Sequence, residues 1–171
     1  KIHQKLKFGE LRRATQGWTK FCGRWERQNP ETLEFEYAME EYAKDIQKVK
    51  LPTGNAKTAS TAISPEEKLQ MSSILGQLNW MARQGRYDLS YGVSHVQQLA
   101  AREGRIALEW LNKVVYRAKQ PAIQVVKRLK DWRNYIIVSA SDAAYGAQPG
   151  GYSQGGLVIC IADKDILEGE A

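Results

Sequence analysis

Residues 64–85 read SPEEKLQMSSILGQLNWMARQG and contain the strongest helix signal in the chain. Ser64 can accept hydrogen bonds from the exposed amides of a first helical turn, Pro65 suits the first helical position, and Glu67 completes a capping box. Gly85 is the predicted stop of this helix. The residues predicted to form its buried stripe are Leu69, Ile74, Leu75, Leu78 and Met81 or Ala82.

Two more helices are predicted directly after this one. Apolar residues recur at helical spacing over residues 89–102 and again over residues 105–119. Gly104 separates the two segments, and Pro121 follows the second as a stop. Because the links between the three helices are short, we expect them to pack as a small bundle.

Strand signals lie on both sides of the bundle. We interpret residues 19–27 as one strand that forms a hairpin with the alternating segment 33–37. A short helix is predicted over residues 39–49 and a loop over residues 51–63.

After Pro121 the hydrophobic period changes to that of strands. Strands are predicted over residues 123–129, 135–142 and 155–162, and a glycine-containing turn over residues 146–151. The predicted class is therefore α+β: an N-terminal β-hairpin plus helix, a three-helix bundle, and a partial β-hairpin or sheet.

Composition places the chain among soluble globular proteins. Of its 171 residues, 43% are hydrophobic and 26% are charged. The longest apolar run, residues 157–162, is far too short to cross a bilayer. Cys22 and Cys160 lie far apart without a CxxC partner, so we expect two semi-buried thiols and a reducing intracellular compartment.

The net charge of +6 is unevenly distributed. Residues 65–130 contain 11 Lys and Arg against 5 Asp and Glu, whereas residues 131–171 contain 2 against 6. A basic body could contact phosphates and an acidic tail could contact metal ions, although solvated helix faces give similar counts.

Phe21-Cys22-Gly23 lies on a predicted strand before a hairpin and a helix that contains Tyr42. This order resembles the "FLG" strand, hairpin and tyrosine-containing helix at the end of the polymerase region of copia-type LTR retrotransposons. The resemblance extends along nearly the full length of the chain. The family's "GSLLYLA" helix and following "TRPDI" are matched by residues 76–82 and by Arg86-Tyr87-Asp88-Leu89. Here Tyr87 replaces the family's proline, so the turn is expected to differ locally.

Two later motifs continue the resemblance. A helix with a tryptophan, lysines and "RYL" is loosely matched by Trp110, Lys113 and Tyr116-Arg117. The family's "YSDADWAG…STSGY" is matched by residues 141–146 and 152–156, SDAAYG and YSQGG. The order and spacing of all these fragments carry the resemblance more than any one of them.

The resemblance implies three regions. These are the end of a reverse-transcriptase-like region (1–63), a helical connection or thumb-like region (64–120) and a truncated ribonuclease-H-like region (121–171). The parent polyprotein would be an RNA-directed DNA polymerase with ribonuclease H activity. Asp142 corresponds to the first ribonuclease H carboxylate, a magnesium ligand in the complete domain; the alternative is that it merely ends a strand.

The same resemblance implies that this chain is catalytically incomplete. Hydrolysis by two Mg²⁺ ions needs several carboxylates, and the family's later ones lie beyond Ala171. Asp163, Asp165, Glu168 and Glu170 are better interpreted as a solvated acidic loop. The paired aspartates of the polymerase site do not occur in the sequence. We expect Mg²⁺ in the parent enzyme and no cofactor for this chain alone.

A region of this kind would grip an RNA/DNA duplex through phosphate contacts. The basic candidates of the middle segment are Arg83, Arg86, Arg102, Arg105, Lys113, Arg117, Lys119, Lys127, Arg128 and Lys130. Among them we select Arg117, Lys119, Lys127, Arg128 and Lys130 as the predicted nucleic-acid-binding residues. The alternative is that they form ordinary solvent-facing surfaces.

Two other functions remain open at this point. One is a non-catalytic structural subunit, derived from a retroelement and retained in a larger assembly, whose protein partners would cover an exposed sheet edge. The other is a stand-alone basic nucleic-acid-binding module. His3 and His95 are lone histidines that we expect to be structural, and Trp80 and Trp110 are expected to pack rather than stack on bases.

Overall fold

The computed structural model describes residues 12–51, 63–102, 104–148 and 151–167. The chain divides into two compact units, Lys1–Val126 and Lys127–Ala171. Helices and antiparallel sheets both occur, which confirms the predicted α+β class. His3, Glu168 and Glu170 lie outside the described residues.

Unit 1 contains a four-stranded antiparallel sheet in the order β1-β2-β3-β4. Its strands are β1 (Thr19–Phe21), β2 (Arg24–Gln28), β3 (Phe35–Ala38) and β4 (Ile123–Val126). The β2–β3 hairpin is the predicted one. Its turn is closed by Asn29, whose side-chain oxygen accepts hydrogen bonds from the backbone amides of Glu31 and Thr32.

The prediction of one continuous strand over residues 19–27 is wrong. Cys22 and Gly23 have positive φ angles of 47° and 81° and form a tight turn between β1 and β2. Glycine suits such a turn because it has no Cβ, and here a Cβ on Gly23 would lie 3.2 Å from the Trp80 ring. The expectation of semi-buried thiols is also wrong, since Cys22 and Cys160 are both exposed.

The helices of unit 1 are α1 (Glu40–Lys44), α2 (Pro65–Gln84), α3 (Ser90–Ala100) and α4 (Gly104–Ala118). The capping box is present: the Glu67 amide donates to Ser64 Oγ, and the Ser64 amide donates to the Glu67 carboxylate. Gly85 ends α2 with a φ of 142°. These features confirm the predicted boundaries of the longest helix.

Helix α1 is shorter than the predicted segment 39–49, although Ile46 and Val49 beyond its end are still buried. The side chain of Asn112 on α4 explains how this extended segment is held. Its amide nitrogen donates to the Val49 carbonyl oxygen, and its oxygen accepts from the Val49 backbone N–H, both at 2.9 Å. A side-chain amide thus replaces the backbone partners that a longer helix would have supplied.

The buried core is shared by all four helices. It includes Met39, Ile46, Leu78, Met81, Leu89, Val96, Leu108, Leu111 and Val115, each 2% exposed or less. Trp80 and Trp110 pack against this cluster, as predicted for both. Leu69 was predicted to be buried but is 75% exposed, and Met71 is buried in its place.

Strand β4 belongs to unit 1, where it pairs with β3. The sequence grouped residues 121–171 as one region, but the break between the units falls after Val126. The strand signal at Ile123 was correct. Its pairing partner lies 85 or more residues earlier in the chain and could not be inferred from local pattern.

Unit 2 is built on one antiparallel hairpin formed by β5 (Tyr135–Gln148) and β6 (Tyr152–Asp163). Both strands are longer than predicted. Side chains along each strand point alternately to the two faces of the hairpin. Ile137 pairs with Ile161 across one face, and Ala140 pairs with Val158 across the other. Large apolar side chains are therefore exposed on both faces, including Ile137, Val158 and Ile161.

None of the helices in the described ranges is long and apolar enough to cross a membrane.

Replacing Ser64 with alanine is expected to lower the free energy of unfolding of unit 1 by about 1 kcal/mol, because the hydrogen bond to the Glu67 amide is lost. Urea unfolding followed by tryptophan fluorescence measures this change. Ser72→Ala, in the interior of the same helix, is the matched control and should not destabilise the protein, because alanine has the higher helix propensity. Equal losses in both variants would contradict a specific capping role.

Candidate nucleic-acid interface

Arg86 lies at the point where α2, α3 and the end of α4 meet, and its side chain is 2% exposed. All five of its guanidinium N–H groups are used. Nε and one terminal nitrogen donate to the two carboxylate oxygens of Asp88, at 2.8 and 3.0 Å. The remaining donors reach the carbonyl oxygens of Arg117, Ala118 and Gln120 at the end of α4, at 3.0, 2.9 and 3.2 Å.

This arrangement, which we call the Arg86 clamp, supplies donors to carbonyl groups at the end of α4, where the backbone ladder of the helix stops. It also places a cation at the negative end of the α4 dipole. The expectation that Arg86 contacts phosphate is therefore wrong, since its donors are saturated inside the protein. Arg86 and Asp88, which lie in the segment that resembles "TRPDI", thus hold the end of α4 against the end of α2 and the start of α3.

Asp88 links the clamp to the surface. Its Oδ2 atom also accepts a hydrogen bond from Nε of Arg117 at 3.2 Å, and the Arg117 side chain is 67% exposed. The hydrogen bonds from Arg86, together with the charges of Arg86 and Arg117, hold the pKa of Asp88 below its ordinary value against the opposing effect of burial. Asp88 is therefore ionised at neutral pH and fixes the position of Arg117.

Arg117 belongs to a group of exposed cations on α1, α4 and the segments that follow them. This group, the basic face, comprises Lys44, Lys48, Lys113, Arg117 and Lys119. Nζ of Lys119 donates to the Lys44 carbonyl oxygen at 3.2 Å, which connects the end of α4 with the end of α1. Nζ of Lys48 lies 5.4 Å from the ring centre of Tyr116, an α4 residue that is 60% exposed.

The structure divides the five predicted nucleic-acid-binding residues between the two units. Arg117 and Lys119 lie on the basic face of unit 1. Lys127, Arg128 and Lys130 belong to unit 2 and are exposed.

Lys130 is engaged within unit 2. Its backbone amide donates to the Asp163 carboxylate at 2.9 Å, and its Nζ lies 2.5 Å from Asp165. This contact raises the pKa of Lys130 and lowers that of Asp165. The two aspartates were interpreted as a solvated loop, but Asp163 is the last residue of β6, and both aspartates bind Lys130 in the segment between β4 and β5.

Asp142 lies within β5 and pairs in register with Gly156 on β6, so it does not end a strand. Its side chain is exposed, and its Oδ1 accepts a hydrogen bond from the Ala143 amide at 2.8 Å. Because Gly155 and Gly156 have no side chains, the carboxylate stands in a shallow depression. The residues lining it are Ser141, Asp142, Ala143, Gly155, Gly156 and Leu157.

The donor set around Asp142 does not fit a pair of magnesium ions. Within the part of the chain that the structure describes, no three His, Cys, Asp or Glu side chains come together in a way that could hold a metal. Asp163 and Asp165 are bound to Lys130. Asp142 therefore remains a single hard oxygen ligand, and no catalytic step through a metal follows from these residues.

No family model, curated protein or solved structure matched the chain. The resemblance to copia-type polyproteins therefore rests on the sequence motifs alone.

Sequence reasoning missed the Arg86 clamp and the Asn112 contact. The spacing Arg86-x-Asp88 indicates a local ion pair, but the three carbonyl acceptors come from residues about 30 positions later. It also missed Lys44 and Lys48, because it treated the middle segment separately from the first helix. His95 is buried between aromatic neighbours, which fits the structural role that we expected for it.

Replacing Arg86 with methionine is expected to lower the free energy of unfolding of unit 1 by about 3–5 kcal/mol, since Asp88 and three carbonyl oxygens at the end of α4 lose the hydrogen bonds that the buried guanidinium donates. Urea unfolding followed by tryptophan fluorescence is the measurement. Arg83→Met in the exposed last turn of α2 is the control, and its effect should stay within about 0.5 kcal/mol. A small loss for Arg86→Met would show that the clamp does not stabilise the fold.

The stability of unit 1 is expected to decrease as the pH falls below about 4, because the pKa of Asp88 is lower in the folded protein than in the unfolded chain. The stabilisation is present above the unfolded pKa and is lost as pH falls through the folded pKa. Asp88→Asn should remove this component and flatten the pH profile of the unfolding free energy. A pH profile that is the same in Asp88→Asn as in the wild type would argue against this role of Asp88.

Proposed function

We propose that this chain is part of a copia-type retrotransposon reverse transcriptase/ribonuclease H polyprotein and that it grips a nucleic-acid duplex. The observation that carries the proposal is the basic face of unit 1, a set of five exposed cations on α1, α4 and the segments that follow them, with Lys119 bound to the Lys44 carbonyl oxygen. Asp88 contacts this face through Arg117 and is also bound by Arg86. A surface of this composition favours an anionic, repetitive ligand such as a phosphate backbone.

The descent from a retroelement is supported by the positions of the resembling motifs. Residues 76–82 lie on the buried helix α2, and Arg86 and Asp88 form the clamp at its end. Asp142 lies on the first strand of an antiparallel hairpin, opposite a glycine. The first two of these motifs therefore occupy places where their residue types stabilise the helices.

In this proposal the chain does not perform the chemistry alone. The polymerase aspartate pair is missing from the sequence, and Asp142 is one carboxylate where two Mg²⁺ ions need several. In the parent enzyme Mg²⁺ would bind Asp142 together with carboxylates from other parts of the protein. The contribution of this chain is to hold the duplex through its cations.

The apolar residues on both faces of the β5–β6 hairpin favour a second candidate, a non-catalytic subunit of a larger assembly. Ile137, Val158 and Ile161 are each about 60–70% exposed, and together they occupy both faces of the ribbon. Two strands alone are marginally stable in water, so other protein surfaces would have to cover them. Isolation of the chain from its native source without any stable protein partner would exclude this candidate.

If the basic face binds a duplex, replacing Lys48, Lys113 and Lys119 with glutamine should weaken binding of an RNA–DNA hybrid and reduce its salt dependence. The slope of log K against log salt should fall by about 1 for each lysine that contacts a phosphate. Fluorescence anisotropy with a labelled hybrid at several salt concentrations measures both quantities.

The matched control is the triple variant Lys68→Gln, Arg83→Gln and Lys164→Gln, which removes the same charge from exposed positions outside the basic face. It should retain most of the wild-type slope. An equal reduction in the control would assign the binding to net charge alone. Undetectable or salt-independent binding by the wild-type chain would overturn the proposed function.

A further inference from the structure

A second surface lies along the seam where α3 and the turn before it pack against α4. Residues at helical spacing line each side of this seam. The α3–α4 seam comprises Asp88, Tyr91 and His95 on one side and Trp110, Lys113 and Arg117 on the other.

Three contacts fix the register of this seam. Arg117 Nε donates to Asp88 at one end, at 3.2 Å. The rings of His95 and Trp110 pack edge to face at the other end, with centroids 4.7 Å apart. Between these ends the helices approach closely at Gly92, where an added Cβ would lie 2.8 Å from a Val114 methyl group. The helices are therefore antiparallel, and Tyr91 lies at the level of Lys113, between the two ends.

The ring of Tyr91 is held in place and remains accessible. It is 58% exposed, and it stacks on His95 with centroids 5.8 Å apart and an interplanar angle of 7°. His95 is in turn fixed by Trp110, which has the ammonium group of Lys113 at 4.5 Å from its ring. Tyr91 is thus the outer member of an ordered aromatic column.

We propose that Tyr91 is a stacking platform for an unpaired nucleobase and that Lys113 and Arg117 bind the adjacent phosphates. An exposed aromatic ring beside cations is the combination that proteins use to bind single strands, because every base has a π-face. Lys113 and Arg117 are also members of the basic face, so the platform continues the duplex-binding surface. The inference rests on the proposed function and specifies that the bound duplex has a single-stranded extension.

The contact with His95 makes Tyr91 a suitable platform, because its ring is already ordered before a base binds. A ring already held by His95 loses little side-chain freedom when a base stacks on it. Stacking on an aromatic side chain contributes about 5- to 150-fold to affinity for each base. We therefore expect a hybrid with a single-stranded overhang to bind this chain more tightly than the same hybrid with blunt ends, within that range.

The test compares the blunt hybrid and the overhang hybrid on the full chain, for wild type, Tyr91→Ala and Tyr91→Phe. Tyr91→Ala should lose the gain from the overhang and keep the affinity for the blunt hybrid, whereas Tyr91→Phe should retain both. Trp132→Ala removes an aromatic side chain that is 70% exposed in unit 2, outside the seam, and should behave as wild type. An overhang containing 2-aminopurine should be quenched by wild type and by Tyr91→Phe, but not by Tyr91→Ala.

The outcomes separate the two proposals. If the blunt hybrid does not bind wild type, the proposed function fails and the platform fails with it. If the blunt hybrid binds but the overhang adds nothing, or if Tyr91→Ala retains the gain and the quenching, only the platform is overturned. Loss of the gain in Trp132→Ala would likewise overturn the assignment to Tyr91.

Discussion

The buried guanidinium of Arg86 is the constraint on which the helical part of the protein depends. A charged group that is 2% exposed is tolerated only when its charge and all its donors are matched. Here Asp88 supplies the charge and the end of α4 supplies three carbonyl acceptors. Because the acceptors come from the last turn of α4 and the residues after it, the clamp fixes where that helix ends relative to α2 and α3. It therefore also fixes the surface that α4 presents.

The candidate functional surface follows from this constraint. Asp88 uses the same carboxylate to bind the clamp and to hold Arg117 on the outside, so one residue connects the core with the basic face. The antiparallel packing that the clamp sets also places Tyr91 beside the cations of α4. The proposed duplex contacts and the proposed base platform thus share one structural origin, although different residues would carry them. The β5–β6 hairpin differs, because its apolar residues on both faces lack cover among the residues described in unit 2.

Prediction from sequence was most successful where the determining interactions are local. The capping box at Ser64 and Glu67 involves residues three positions apart, and the structure confirms it together with Gly85 as the stop. Prediction failed where the neighbouring residues in the sequence did not indicate a turn or the burial of a side chain. Residues 19–27 alternate like one strand, yet Cys22 and Gly23 turn the chain back, and Leu69 follows the helical period but points to solvent.

Residue type and short spacing were enough to predict the α+β class, the three long helices, the charge distribution and the position of Asp142 on a strand. Long-range packing was needed to show that Arg86 is saturated, that β4 joins the first sheet, and that Lys44 and Lys48 contact the C-terminal part of α4 and Lys119. These outcomes depend on contacts between residues far apart in the chain. The burial of a basic side chain and the saturation of its hydrogen bonds arise from such contacts, so they cannot be deduced from the residue types alone. Arg86 and Arg117 have the same side chain, but Arg86 is buried with all its donors used, whereas Arg117 is mostly exposed.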